Sequence, residues 1–418
     1  MGFESSIYFV WPSERTYYMA AQFASGIADG ETGDGYGVGV EAGRDAASDL
    51  NGAAADFCQV FCTADFDYND VLAGVRSVIG DEPALIGCAG TGPFTDVRSV
   101  EAGVALALIS SETMTFQTGL GTRLSEGIHR ALRDARKDLS ETDDSLPYRS
   151  ALVLYDGLNS DGEELAHRVR RKLGARVPFA GGAASDTYRL ESTPVFCGDR
   201  VENDAVAIAT IDSEQQSFVV GNHGHEAISE PVEVTAADGR KLIELDGRPA
   251  LEVWREAVEP YAREMFDIDL QAVADDHQTM LRMMGVFEFG IDQGESYKMR
   301  ACIKSDPDAG TMWALVNIPE GTHVQIMRGT VDSQIESARS AARSANDISG
   351  GQYSGAFIYD CACRHVILDD EFDTAVDAMR SELTQPFVGF ETYGEMNMNF
   401  GQTSGFHNST TVINLFPR

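Results

Sequence analysis

Lysine is nearly missing from this chain. Of its 32 Lys and Arg residues only five are lysines, Lys137, Lys172, Lys241, Lys298 and Lys304, so arginine supplies almost all the positive charge. Positive charge is itself scarce: 66 Asp and Glu residues leave a net charge of −34 over 418 residues. The basic footprint that binds nucleic acid or an anionic membrane surface is absent, and neither is expected as a partner. No apolar run reaches the roughly 18–20 residues of a membrane-spanning helix. The N-terminus has neither the basic start nor the continuous apolar run of a secretory signal. The seven cysteines (Cys58, Cys62, Cys88, Cys197, Cys302, Cys361 and Cys363) are odd in number and scattered, which argues for reduced thiols and a cytoplasmic protein. Walker A, GxSxG and HExxH patterns are missing. Cys361-x-Cys363 has no second pair elsewhere to complete a zinc site. No catalytic residue, metal site or cofactor is therefore expected.

What the chain has in excess is acid, spread along its whole length. Self-repulsion of that size loosens a compact state at low salt, whereas in molar salt the Debye length falls to about 3 Å and the repulsion is screened. Scarce lysine with retained arginine fits the same reading, a halophilic protein. The length suffices for two or three domains at roughly 100–200 residues each, and a core of that size needs no disulfide or metal scaffold.

Residues 1–35 carry little periodic signal and end in a Gly/Asp-rich run, so they read as a loose N-terminal tail. The first 18 precede Met19, which is a candidate natural start. Beyond the tail, three stretches share one plan. The first opens with the apolar strand Phe57–Cys62, continues with a helix over about 69–79 and the segment Pro83-Ala84-Leu85-Ile86-Gly87, and closes with an apolar strand over 103–109. The second opens with Ala151-Leu152-Val153-Leu154-Tyr155. Its helix lies over about 163–173 and is followed by Pro178-Phe179-Ala180-Gly181-Gly182 and a strand over 205–209. The third opens with Ala356-Phe357-Ile358-Tyr359, has a helix over about 371–383, and continues through Pro386-Phe387-Val388-Gly389 to a strand over 410–415. Short continuous apolar runs bounded by glycine fit strands buried on both faces. A strand, a helix and a second strand joined this way make a parallel pair with a right-handed crossover, and the last strand of each unit is expected to add antiparallel. The repetition is a fold-level signal. It predicts an α/β protein of two domains built from related β-α-β-β units, with mixed sheets and helices packed on them. Between the second and third units, residues 232–245 alternate like a hairpin, a helix follows over 250–261, and 286–289, 297–303, 312–317 and 324–327 read as strands.

The same residues resemble the FIST family in both its N-terminal and C-terminal domains. The resemblance is carried by the Gly-rich entry to an Ala-rich helix at 37–47, by Gln59-Val60-Phe61-Cys62, by Leu85-Ile86-Gly87-Cys88-Ala89-Gly90-Thr91-Gly92 and by Gly181-Gly182-Ala183-Ala184-Ser185-Asp186. It continues through Glu244-Leu245-Asp246-Gly247-Arg248-Pro249-Ala250, Pro319-Glu320-Gly321, Cys361-Ala362-Cys363-Arg364, the run from Pro386 to Glu395, and His407-Asn408-Ser409-Thr410. It covers nearly everything after residue 36 and places the domains at 36–230 and 231–418, as a stand-alone member of haloarchaeal type. Two positions depart from the family pattern: Cys363 stands where glycine is usual, and Pro93-Phe94 occupies the place of an acidic residue. The resemblance implies a sensory, signal-transducing module that binds a small ligand, an amino acid being one candidate, and that signals through a protein partner. Two alternatives stand beside it: a cysteine-dependent enzyme acting through Cys88 on a small acyl or amide substrate, and an interaction scaffold with no ligand.

The candidate ligand-binding residues are Cys88, Gly90, Asp186, Arg364, Tyr393, Glu395 and Asn408. Cys88 and Gly90 belong to a glycine-rich turn whose backbone N–H groups suit an anion. Arg364 offers a planar fork to a carboxylate. Glu395 or Asp186 offers a carboxylate, and Tyr393 a ring face, to an ammonium group. Asn408 neighbours this loop. In parallel sheets, ligands gather where loops leave the carboxyl ends of strands, which predicts one cleft between the domains. The segment Asp156–Glu163 lacks calcium-loop spacing, and Ser160 or Asp161 is expected to cap the following helix.

Overall fold

The computed structural model describes residues 21–140, 145–294, 296–399 and 405–418. Each of the three units is a sheet built around a parallel pair. Phe57–Cys62 runs parallel to Ala84–Ala89, Tyr148–Tyr155 to Phe179–Ala183, and Gly355–Cys361 to Phe387–Thr392. In every unit the closing strand lies antiparallel on the other side of the opening strand: Gly103–Ser110, Ala205–Ser213 and Thr410–Phe416. The parallel pairs place Val60 opposite Gly87, Val153 opposite Gly181 and Ile358 opposite Gly389. A Cβ on any of these glycines would come within 2.3, 1.8 or 2.6 Å of that partner's carbonyl oxygen, so close approach of two backbones fixes glycine at one equivalent position in all three units.

The units are laced into a closed ring. The strand that follows each parallel pair does not return to its own sheet. Thr91–Thr95, leaving the first unit, pairs with Phe387–Thr392 of the third. Glu395–Met398, leaving the third, pairs with Phe179–Ala183 of the second. Val195–Cys197, leaving the second, pairs with Ala84–Ala89 of the first. The arrangement has threefold pseudosymmetry. The inner faces of the sheets share one apolar core in which Phe61 stacks on Phe390 at 4.3 Å, with Tyr359 edge-on to both. The helices cover the outer faces, which buries each sheet on both sides and explains the unbroken apolar runs. They are Gly35–Asp49 and Tyr68–Ile79 on the first sheet, Ile128–Ala135 and Gly162–Leu173 on the second, and Val331–Ser349 and Phe372–Arg380 on the third. Asp161 caps its helix through the Glu164 N–H.

Residues 225–329 contribute a nine-stranded layer with its own core around Trp254, carried by the helices Ala250–Phe266 and His277–Val286. Val286 ends a helix here; the expected strand over 286–289 begins only at Phe289, because Met280, Met283 and Met284 form a buried helical stripe before it. The loose tail also needs correction. Gln22–Asp29 is a strand paired along its whole length with Gly103–Ser110, and Phe23 packs against Phe357 of the third unit. Residues 1–20, with the expectation about Met19, lie outside the described residues.

Candidate functional site

The carboxyl ends of the three parallel pairs meet, and one serine ties them. Ser185 donates its N–H to the Ala89 carbonyl (3.0 Å), accepts the Thr91 N–H on its hydroxyl (2.8 Å), and donates that hydroxyl to the Glu391 carbonyl (2.5 Å). Four of the seven candidate residues lie at this junction, but as structure. Cys88 is inside a strand rather than in a turn. Its thiol is wholly buried, and burial, with the neighbouring Cys62, pushes it well above the ordinary value, so no thiolate forms there. Gly90 donates to the Cys62 carbonyl (2.8 Å), and a Cβ there would strike the Phe390 ring. Asp186 accepts the N–H groups of Leu190, Glu191 and Ser192 and the Tyr393 hydroxyl (2.7 Å). Burial opposes its ionisation, but these donors outweigh burial and hold its carboxyl below the usual range. Tyr393 in turn accepts the Tyr188 N–H (2.8 Å). The result is a roof over the strand ends, residues 186–192, in which Thr187, Tyr188 and Leu190 all have left-handed backbones (φ 57°, 61° and 54°). Tyr188 pins the roof by donating its hydroxyl to the Ala362 carbonyl (2.8 Å). Beside it the buried Glu391 carboxyl meets Nδ1 of the half-exposed His365 (3.2 Å). That contact raises the imidazole, while burial raises the carboxyl.

The other three candidates lie in a buried polar seam between the ring and the nine-stranded layer. Arg364 is fully buried and spent internally. Nη1 donates to Gln334 Oε1 (2.5 Å) and Ser337 Oγ (2.8 Å), Nη2 donates to the Gln334 carbonyl (3.1 Å), and Nε lies 2.8 Å from the Asp360 carboxylate. The expectation that this fork faces a ligand is thus corrected: Arg364, in the helix Ala362–Leu368, lies four residues after Asp360, near the end of the strand Gly355–Cys361, and is held by that buried acid. Glu395 accepts from the Thr392 hydroxyl and the Thr410 N–H. Burial pushes its carboxyl well above the usual range, and both of its oxygens are already engaged inside the protein. Asn408 accepts the Ala301 N–H (3.2 Å), and its Nδ2 has no partner among the described residues. The seam also holds Glu288, whose carboxyl burial raises to about 8 and whose Oε1 accepts the Ser409 hydroxyl (2.5 Å).

At one end the seam reaches a cleft of about 700 Å³ between the helix Gly162–Leu173 and the nine-stranded layer. Its floor is Lys298 and Arg300, both nearly buried, bridged by Glu163: Oε1 to Nζ at 2.6 Å and Oε2 to Nη2 at 2.7 Å. Behind the floor lie His407, His223 and His225. Burial drives their imidazoles down, to about 3 for His407 and His225 and about 4 for His223. Lys298 and Arg300 push the same way on His407, and Arg364 on His223 and His225, so all three stay neutral. His225 Nδ1 meets Gln334 Nε2 (3.3 Å), and Gln334 holds Arg364, so polar contacts link the histidine pair to the helix Val331–Ser349. Sequence reasoning missed Glu163, Lys298 and Arg300. The signal available was Lys298 itself, one of five lysines, in a run that alternates like a half-buried strand.

Residues 56–248 match the FIST N domain and residues 250–398 the FIST C domain. The chain belongs to the FIST family. The FIST N match contains the parallel pairs of the first two units, and the FIST C match takes in most of the nine-stranded layer and the parallel pair of the third. FIST domains as a class are sensory modules of signal transduction. An uncharacterized protein of Methanocaldococcus jannaschii is 22% identical over 302 residues, covering 69% of this chain but only 56% of that protein. Uncharacterized proteins of Mycobacterium tuberculosis and Mycobacterium bovis are each 27% identical over 367 residues, covering 83% of this chain and 86% of theirs. Among the described residues no helix is long and apolar enough to cross a membrane.

Proposed function

We propose that this FIST protein is a cytoplasmic sensor that binds a small ligand in the cleft floored by Lys298 and Arg300 and reports occupancy to a signalling protein. The observation that carries the reading is the continuity of polar groups from that floor, through His407 and the His223–His225 pair, to Gln334 and Arg364 on the third unit's helices. Along this path His225 Nε2 and Arg300 Nε have no hydrogen-bond partner among the described residues. Incompletely satisfied buried networks have alternative arrangements close in energy, and a ligand that favours one arrangement shifts the population. Cys88 does not support the enzymatic alternative, since its thiol is sealed in the central core. The acidic composition fits a protein working in strong salt, where such a surface is screened.

A thermal-shift screen in high-salt buffer, with amino acids as the first compounds tried, tests the reading. A saturable rise in Tm, together with changed amide exchange in Val331–Ser349, is expected of a sensor. An unchanged Tm across every small-molecule class would favour the ligand-free scaffold.

A further inference from the structure

The floor of the cleft sets two cations, Lys298 and Arg300, side by side, rare in a chain with a net charge of −34. Lys298 and Arg300 share the single carboxylate of Glu163, which also contacts His167 Nε2 (3.0 Å). Another arginine of the molecule shows what a completed pair looks like. Arg149 closes the Nε–Nη2 edge of its guanidinium with both oxygens of Asp212, each contact at 2.6 Å. On Arg300 the same edge is half used: Nη2 holds Glu163, while Nε is buried without a hydrogen-bond partner among the described residues. Its Nη1 is committed to the carbonyls of Met299 and Phe406. Buried charge left in this state is costly and is retained where something else completes it. We propose that Arg300 and Lys298 form the recognition site for a small organic monocarboxylate, which completes the Nε edge of Arg300 beside Glu163.

The geometry sets the class, because Glu163 demonstrates that a carboxylate spans these two cations at hydrogen-bond distance. A phosphate dianion would add two negative charges beside Glu163 and Asp161, which already act on Arg300. Arginine suits the task through its planar fork, and lysine supplies a point charge. The inference rests on the sensory reading only for its biological sense; the chemistry belongs to the cleft.

The experiment is chemical rescue, using the full chain at one fixed potassium chloride concentration. Propionate, its neutral isostere propionamide and inorganic phosphate are titrated against the wild type and Glu163→Gln, with Tm and calorimetric affinity as readouts. Propionate is expected to raise the Tm of both proteins. It should bind Glu163→Gln about tenfold more tightly, since removing the internal carboxylate leaves two cations to be neutralised, while propionamide has no effect. Lys298→Gln, which leaves the Glu163–Arg300 pair in place, is expected to lose about tenfold in propionate affinity. Equal responses to propionamide, or a stronger response to phosphate, would overturn the carboxylate assignment. So would unchanged propionate affinity in both variants. If other small molecules still stabilise the protein, only the ligand class has failed. If propionate binds as expected but amide exchange in Val331–Ser349 does not change, the site stands and the sensory reading fails.

Discussion

The interior holds two regions of opposite character. Where the three sheets face one another, the core is aromatic and aliphatic, with few polar groups; Gln59 Nε2 donates to the Tyr359 hydroxyl at 3.0 Å, and Gln59 Oε1 has no partner among the described residues. Between the ring and the nine-stranded layer, a region just as buried is filled with Arg364, Asp360, Glu288, Glu395 and Asn408, and among the described residues Asn408 Nδ2 there has no hydrogen-bond partner. The first region is what a fold needs, since burial of apolar surface is the main stabilising term. The second is costly for stability and is the kind of place where function is stored. The roof at 186–192 belongs with the second: three left-handed non-glycine residues persist only because Asp186, Tyr393 and Tyr188 over-determine them.

The largest expected effects set the two regions side by side. Phe61→Ala should cost about 3–5 kcal/mol by leaving a cavity against Phe390 and Tyr359. Arg364→Ala should cost about as much for a different reason, because it strands the buried Asp360 carboxylate. Urea denaturation of both variants checks this, and a loss below about 1 kcal/mol for Arg364→Ala would mean the seam is wet and tolerant. Salt sharpens the contrast. Lowering salt should reduce the wild-type Tm, because the acidic surface is no longer screened. The stability gap between wild type and Arg364→Ala should stay nearly constant over the same range, since buried pairs are screened little. A wild-type Tm that is flat or higher at low salt would refute the salt-adapted reading.

Glu288 gives the seam a pH signature. Its folded carboxyl sits at about 8 against an ordinary value of 4.5, because burial disfavours the charged form. A group raised in the folded state gives stability that is fully present below 4.5 and is lost as pH rises through about 8. Glu288→Gln removes that loss. The variant should match the wild type near pH 4.5 and exceed it at pH 9 by about 2–4 °C in Tm for each kcal/mol recovered. A difference that does not change with pH would show that Glu288 is solvated. At the roof, Tyr188→Phe deletes one hydrogen bond to the Ala362 carbonyl and should cost only about 0.5–1.5 kcal/mol, while raising proteolytic cleavage within 186–192. An unaltered cleavage rate would mean that the strained backbone holds without its pin. Deleting residues 1–18 should leave the Tm unchanged, the smallest effect expected; a large fall would show that Phe9 or Trp11 packs on the first unit.

The sequence by itself determined the three units, because apolar runs of strand length, Pro-bounded second strands and glycine at the point of close backbone approach are local signals. It also determined the family and the acidic character of the surface. Tertiary structure alone decided that each unit gives its next strand to a neighbour, since strand exchange depends on pairings between segments as far apart as Thr91 and Glu391. It decided the fate of the candidate residues for the same reason. Arg364 and Glu395 have side chains apt for a ligand, yet their chemistry is consumed by the nearby Asp360 and Thr392 and by Gln334 and Thr410, which become neighbours only in the folded protein. Conversely, Lys298 and Arg300 look like ordinary polar positions of a strand. They acquire meaning when the nine-stranded layer sets them against Glu163 at the start of a distant helix, because a buried charge is defined by what surrounds it.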